Sequence, residues 1–86
     1  MPYIKKEVRE GLDSKLSPVI ILLNKTTRNA GVLNYMITKI LLATNPKYYE
    51  DYNALVGVLE CIKLELYRRV IVPYEDKKRE EHGDVY

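Results

Sequence analysis

Phenylalanine and tryptophan are absent from this chain of 86 residues, and cysteine and histidine occur once each. One cysteine excludes an internal disulfide, and Cys61 with His82 falls short of the about four ligands of the usual zinc sites. No apolar run approaches the about 18 residues of a membrane span. The opening Met1-Pro2-Tyr3-Ile4-Lys5-Lys6 holds no apolar signal core. These absences predict a soluble, cytoplasmic protein with no metal and no cofactor. Lys plus Arg is 14 and Asp plus Glu is 12, a net charge of +2. That is too balanced for a protein that coats nucleic acid by charge alone. The length predicts one domain, 1–86. A chain this short buries only about 60% of its unfolded surface, so oligomerisation is expected to help.

All eight aromatic residues are tyrosine. Tyrosine fills a core only where its hydroxyl finds a partner, and it favours interfaces and ligand surfaces. Charge is unevenly placed. Residues 18–49 hold Lys25, Arg28, Lys39 and Lys47 and no acid, whereas 73–86 hold three bases and five acids. The basic middle can attract an anionic partner, unless the acidic tail folds over it.

The pattern predicts an all-α fold. Residues up to Lys15 read as charged and irregular, with at most a short helix ended or loosened by Gly11. Ser17-Pro18 then reads as a helix start, opening a short apolar segment. Residues 24–31 read as a connection. A second helix is predicted from about Gly31 to Thr44, because Leu33, Met36, Ile37, Ile40 and Leu41 recur at helical spacing. Asn45-Pro46 is read as ending it and starting the next, with Asn as cap and Pro as first residue. So short a link predicts an αα-hairpin. The third helix should run from about Pro46 or Tyr48 to Glu81, with a kink or break at 70–73 imposed by Pro73 and a stop at Gly83.

The long helix has two apolar faces. Tyr52, Leu55, Val56, Leu59, Ile62, Leu66 and Val70 form the main one. Opposite lie Ala54, Gly57, Cys61, Leu64, Arg68, Ile71 and Val72. Glycine in a helix interior costs roughly 1 kcal/mol against alanine, so Gly57 suggests close packing. Three helices can cover one face well. The second face, through Ala54, Gly57, Cys61 and Leu64, is therefore predicted to join copies into a homo-oligomer, most simply a dimer. The alternative is an N-terminal helix folded across it. Arg68 in that apolar stripe needs an anionic partner if buried: a neighbour's carboxylate, Glu65, or a bound anion.

Catalytic chemistry is poorly supported. Cys61 sits among small apolar neighbours and His82 in a charged tail, while the paired acids lack the apolar surroundings that tune a carboxyl for proton transfer. No glycine-rich phosphate loop or nucleophile elbow is present, so the chain is expected not to be an enzyme.

Several segments are distinctive together. Leu33-Asn34-Tyr35 with Ile37-Thr38, Gly57 to Glu65, Tyr67-Arg68-Arg69-Val70, Pro73 to Lys77 and the ending Gly83-Asp84-Val85-Tyr86 resemble a small family of unknown function found in tailed phages and their bacterial hosts. The opening Met1-Pro2-Tyr3-Ile4 resembles that family's start. The resemblance implies a phage setting. In size, helix content and expected oligomerisation the chain is similar to small phage proteins that sequester nucleotide second messengers of bacterial defence, an analogy of class. A phosphate-bearing ligand needs cations for charge, aromatic faces for a base, and amides or hydroxyls for a ribose. Asn34, Tyr35, Thr38 and Lys39 on the second helix supply that set together with Tyr67, Arg68, Arg69 and Tyr74 near Pro73. The rival readings are a module that binds and inhibits a host or defence protein, and an accessory protein that binds nucleic acid.

Overall fold

The computed structural model describes residues 2–25 and 29–86, and these are helical without strands. Helix α1 spans Lys6–Lys25, α2 Ala30–Ala43 and α3 Tyr49–Leu66; a π-helical turn, Tyr67–Ile71, leads into α4, Val72–His82. They fall into two units, Met1–Pro46 and Lys47–Tyr86. None of the described helices is long and apolar enough to cross a membrane.

The N-terminal expectation is corrected. Helix α1 runs unbroken through both Gly11 and Pro18, so neither the break at Gly11 nor the start at Ser17-Pro18 occurs. Each of these residues disturbs a helix locally. Gly11 costs conformational entropy, and Pro18 removes the one amide that would reach Ser14. The Ser14 hydroxyl turns back to donate to the Gly11 carbonyl at 2.9 Å. Around them stand Lys, Glu, Arg and Leu, which lose little in a helix. Val8, Leu12, Leu16, Val19 and Leu23 moreover share one stripe at steps of three and four. Glu7 in the first turn and Lys25 in the last complement the helix dipole.

Helix α2 matches its expected span within one residue at either end. Asn29 caps it, its Oδ1 accepting from the amides of Gly31 at 2.9 Å and Val32 at 3.2 Å. Of the connection read over 24–31, Asn24 and Lys25 belong to α1, Ala30 and Gly31 to α2, and residues 26–28 lie outside the described residues.

The role expected of Asn45-Pro46 is half right. It ends α2 but does not start α3. Asn45 sits in the left-handed region at φ 59°, which its short polar side chain tolerates. Its amide donates to the Leu42 carbonyl at 3.0 Å. Helix α3 begins three residues later, where the Asp51 carboxylate accepts from the amides of Lys47 and Tyr48, both at 3.0 Å. Those bonds, Lys47 first, hold the Asp51 carboxyl below its ordinary value of 3.8. Its stabilisation is therefore complete above that value and lost as pH falls through the lower folded one. Asp51→Ala should lower the thermal midpoint at neutral pH. It should also flatten the acid-side loss of helix seen by circular dichroism in the parent. Parallel acid titrations of the two proteins would refute this.

The kink or break expected at 70–73 takes the form of the π turn. Pro73 has no amide, and in α geometry its ring collides with the carbonyl of Arg69. Widening the turn by one residue relieves that collision, and the Val72 amide bonds to Tyr67, five residues back. Helix α4 then continues as the expected charged extension, with i,i+3 pairs Lys78–Glu81 at 3.2 Å and Arg79–Asp76 at 3.6 Å. Gly83 stops it at φ 86°, its amide donating to Arg79 at 2.8 Å.

No described residue is buried. Val19, Leu23, Met36, Leu41, Leu55 and Ile71 are half-buried, and the remaining large apolar side chains are exposed. Ile62 on the main face of the long helix is 54% exposed and Leu64 on the opposite face 58%. The chain exposes 8133 Å².

Candidate functional site

The sequence-predicted ligand residues form two groups, each built on one unit. On α2, Asn34 and Thr38 are one turn apart, and the Thr38 hydroxyl donates to Asn34 Oδ1 at 3.2 Å. On the adjoining side the Lys39 ammonium stands 5.9 Å from the centre of the Tyr35 ring. This is a cation–π arrangement on a face that carries no acid. Asn34, Tyr35 and Thr38 line a shallow groove of about 460 Å³ with Ala30 and Gly31. Gly31 faces the cap: a Cβ built there would lie 3.2 Å from Asn29 Oδ1.

The second group surrounds the π turn. Tyr67 and Arg68 line an open groove of about 500 Å³ with Lys63, Leu64, Glu65 and Val72. Sequence reading set Val72 on the face of Leu64 and Arg68 but did not single out Lys63. Leu64, Arg68 and Val72 follow one another at four residues through the widened turn. Tyr74 lies beyond the turn, with the Lys78 ammonium 5.7 Å from its ring centre.

Among the partners considered for Arg68, the structure shows Glu65, at 2.7 Å from Nη2 to Oε2. The Arg68 side chain is 65% exposed and that of Glu65 25%. An exposed pair of this kind contributes only about 0–1 kcal/mol, so an incoming phosphate can compete for the guanidinium. Lys63 is likewise paired, with Glu60 at 3.0 Å. The groove therefore offers two cations in weak pairs, one tyrosine ring and an apolar floor.

On the opposite stripe, Cys61 is exposed, and a Cβ built on Gly57 meets nothing within 4 Å. The glycine thus answers no close approach within its own chain. Ala54 and Leu64 are exposed with it.

No curated protein and no solved structure matches the chain. The model of domain of unknown function DUF6899 matches residues 1–85, and the chain belongs to that family.

Proposed function

We propose that this protein is a non-enzymatic helical homo-oligomer that binds a small anionic, nucleotide-like ligand and, in a phage setting, sequesters a second messenger of bacterial immunity. The observation that carries the reading is the groove at the π turn, where Lys63, Tyr67 and Arg68 lie over Leu64 and Val72. A guanidinium and an ammonium suit phosphate oxygens, and the tyrosine ring suits the face of a base. The Asn34–Thr38 pair and the Tyr35–Lys39 pair on α2 supply the amide, hydroxyl, ring and cation for a further part of such a ligand. Copies join through the face of Ala54, Gly57, Cys61 and Leu64, which their own chain leaves open. Calorimetric titration of the full chain with cyclic oligonucleotides and ADP-ribose derivatives tests the ligand. Saturable heat with at least one of them is expected, and none across the panel would contradict the reading.

A second reading, a module that docks on a host or defence protein, is favoured by one observation. Helix α1 exposes Val8, Leu12 and Leu16 along a single stripe, and exposed apolar stripes of this kind mark protein contacts. Capture of one defined partner from infected cells, lost on Leu12→Glu, distinguishes it.

A further inference from the structure

The main apolar stripe of the long helix has a spacing that neither the ligand groove nor the Gly57 face uses. Tyr52, Leu55, Leu59, Ile62 and Leu66 step by three, four, three and four residues, a heptad pattern. Beyond Leu66 the pattern breaks, because the next three-residue step falls on Arg69 and the apolar residues are Val70 and Tyr74. In an uninterrupted α-helix this would rotate the stripe away from its line. The π turn lies between Leu66 and Val72 and holds one residue more than an α turn. It absorbs the extra residue, so that Val70 and Tyr74 rejoin the stripe. The residue that relieves Pro73 also restores the heptad.

We propose that this stripe, from Tyr52 to Tyr74, is a seam along which copies of this chain pack in parallel as a bundle of more than two helices, with the π turn keeping it in register. The inference rests on the homo-oligomeric part of the reading above and is independent of any ligand. Three observations select further copies of this chain as the occupant. First, the seam is uncovered: Ile62, Leu66 and Val70 are all exposed. Second, the first heptad position holds Leu59 and Leu66 between Tyr52 and Tyr74, while the fourth holds Leu55 and the β-branched Ile62 and Val70. This composition favours trimers and tetramers over dimers. Third, the flanks carry a sign pattern. Within the seam Glu65 lies on one flank and Lys63 on the other, and Glu80 and Lys78 repeat those signs just beyond Tyr74. An antiparallel arrangement would set like flanks together, acid beside acid and lysine beside lysine, whereas a parallel one sets unlike flanks together.

The test is the solution mass of the full chain in a series of variants. Gly57→Leu blocks the opposite face, and the particle that remains should contain three or four chains. Adding Ile62→Lys to it should leave monomers. A Gly57→Leu protein that is monomeric or dimeric would overturn the seam while leaving the Gly57 face standing. An unchanged mass in the double variant would overturn it too. Register is tested without disrupting the seam. Deleting Arg69 together with Pro73→Ala converts the stripe into an unbroken heptad on a plain α-helix. The seam-joined particle should persist, and its loss would overturn the role given to the π turn. Orientation is read from a spin label on Glu50→Cys in a Cys61→Ser background. Parallel chains place the labels within about 25 Å of one another, whereas antiparallel chains centred on the seam separate them by about 40 Å at 1.5 Å rise per residue.

Discussion

Arg68→Ala is expected to weaken binding of the anionic ligand by about 10- to 100-fold, because a hydrogen bond to a charged group contributes about 1.5–3 kcal/mol. The same substitution should change folding stability little. Its pair with Glu65 is exposed on the arginine side and belongs to a class that contributes about 0–1 kcal/mol. Calorimetry and thermal melts on the same two proteins separate the alternatives. A large loss of affinity with a nearly unchanged midpoint supports a ligand contact. A lowered midpoint with affinity intact makes Arg68 a structural residue and moves the site elsewhere. Glu65→Gln is the informative companion: freeing the guanidinium from its carboxylate should tighten phosphate binding, since an acid lining the groove repels the ligand.

Gly57→Leu should lower the mass of the assembly while preserving helix content. The sign of its effect on stability is the sharper part. Leucine exceeds glycine in helix propensity by somewhat less than the about 0.8–1.0 kcal/mol that separates alanine from glycine, and a side chain at 57 meets nothing within 4 Å. For a protein working as a monomer, Gly57→Leu would be a stabilising change with no change of mass. For a protein whose second copy approaches here, the added side chain removes the close contact, and the loss of partner surface outweighs the gain in propensity. Sedimentation and circular dichroism on the variant read both quantities. A higher midpoint at unchanged mass would refute the Gly57 face.

Different parts of this molecule were legible for different reasons. Helix α2 is fixed nearly to the residue because Leu33 to Leu41 repeat cleanly and Asn45-Pro46 cannot continue the helix. Helix α1 misleads because Gly11 and Pro18 are read as punctuation. Inside a segment of good helix formers the helix carries both, Pro18 at a cost of about 3 kcal/mol, and the stripe from Val8 to Leu23 is the signal that identifies the continuous helix. Pro73 announces a disturbance but not its form, since a kink, a break and a π turn all relieve the same collision. The wheel drawn at a fixed angle already set Val72 beside Arg68, and it was Lys63, which falls off that face, that sequence reading left out of the site. The start of α3 went to Asn45 because asparagine before proline is a strong cap signal. The left-handed backbone at Asn45 serves the end of α2 instead, and Asp51 takes the capping role.

The central claim is that this chain works as an assembly holding a small anionic ligand. Native mass spectrometry of the full chain purified from bacterial cells, followed by denaturation and analysis of what is released, tests it most directly. A particle of several 10.1 kDa chains carrying a nucleotide-sized mass is the predicted result. A single chain with nothing bound would contradict it.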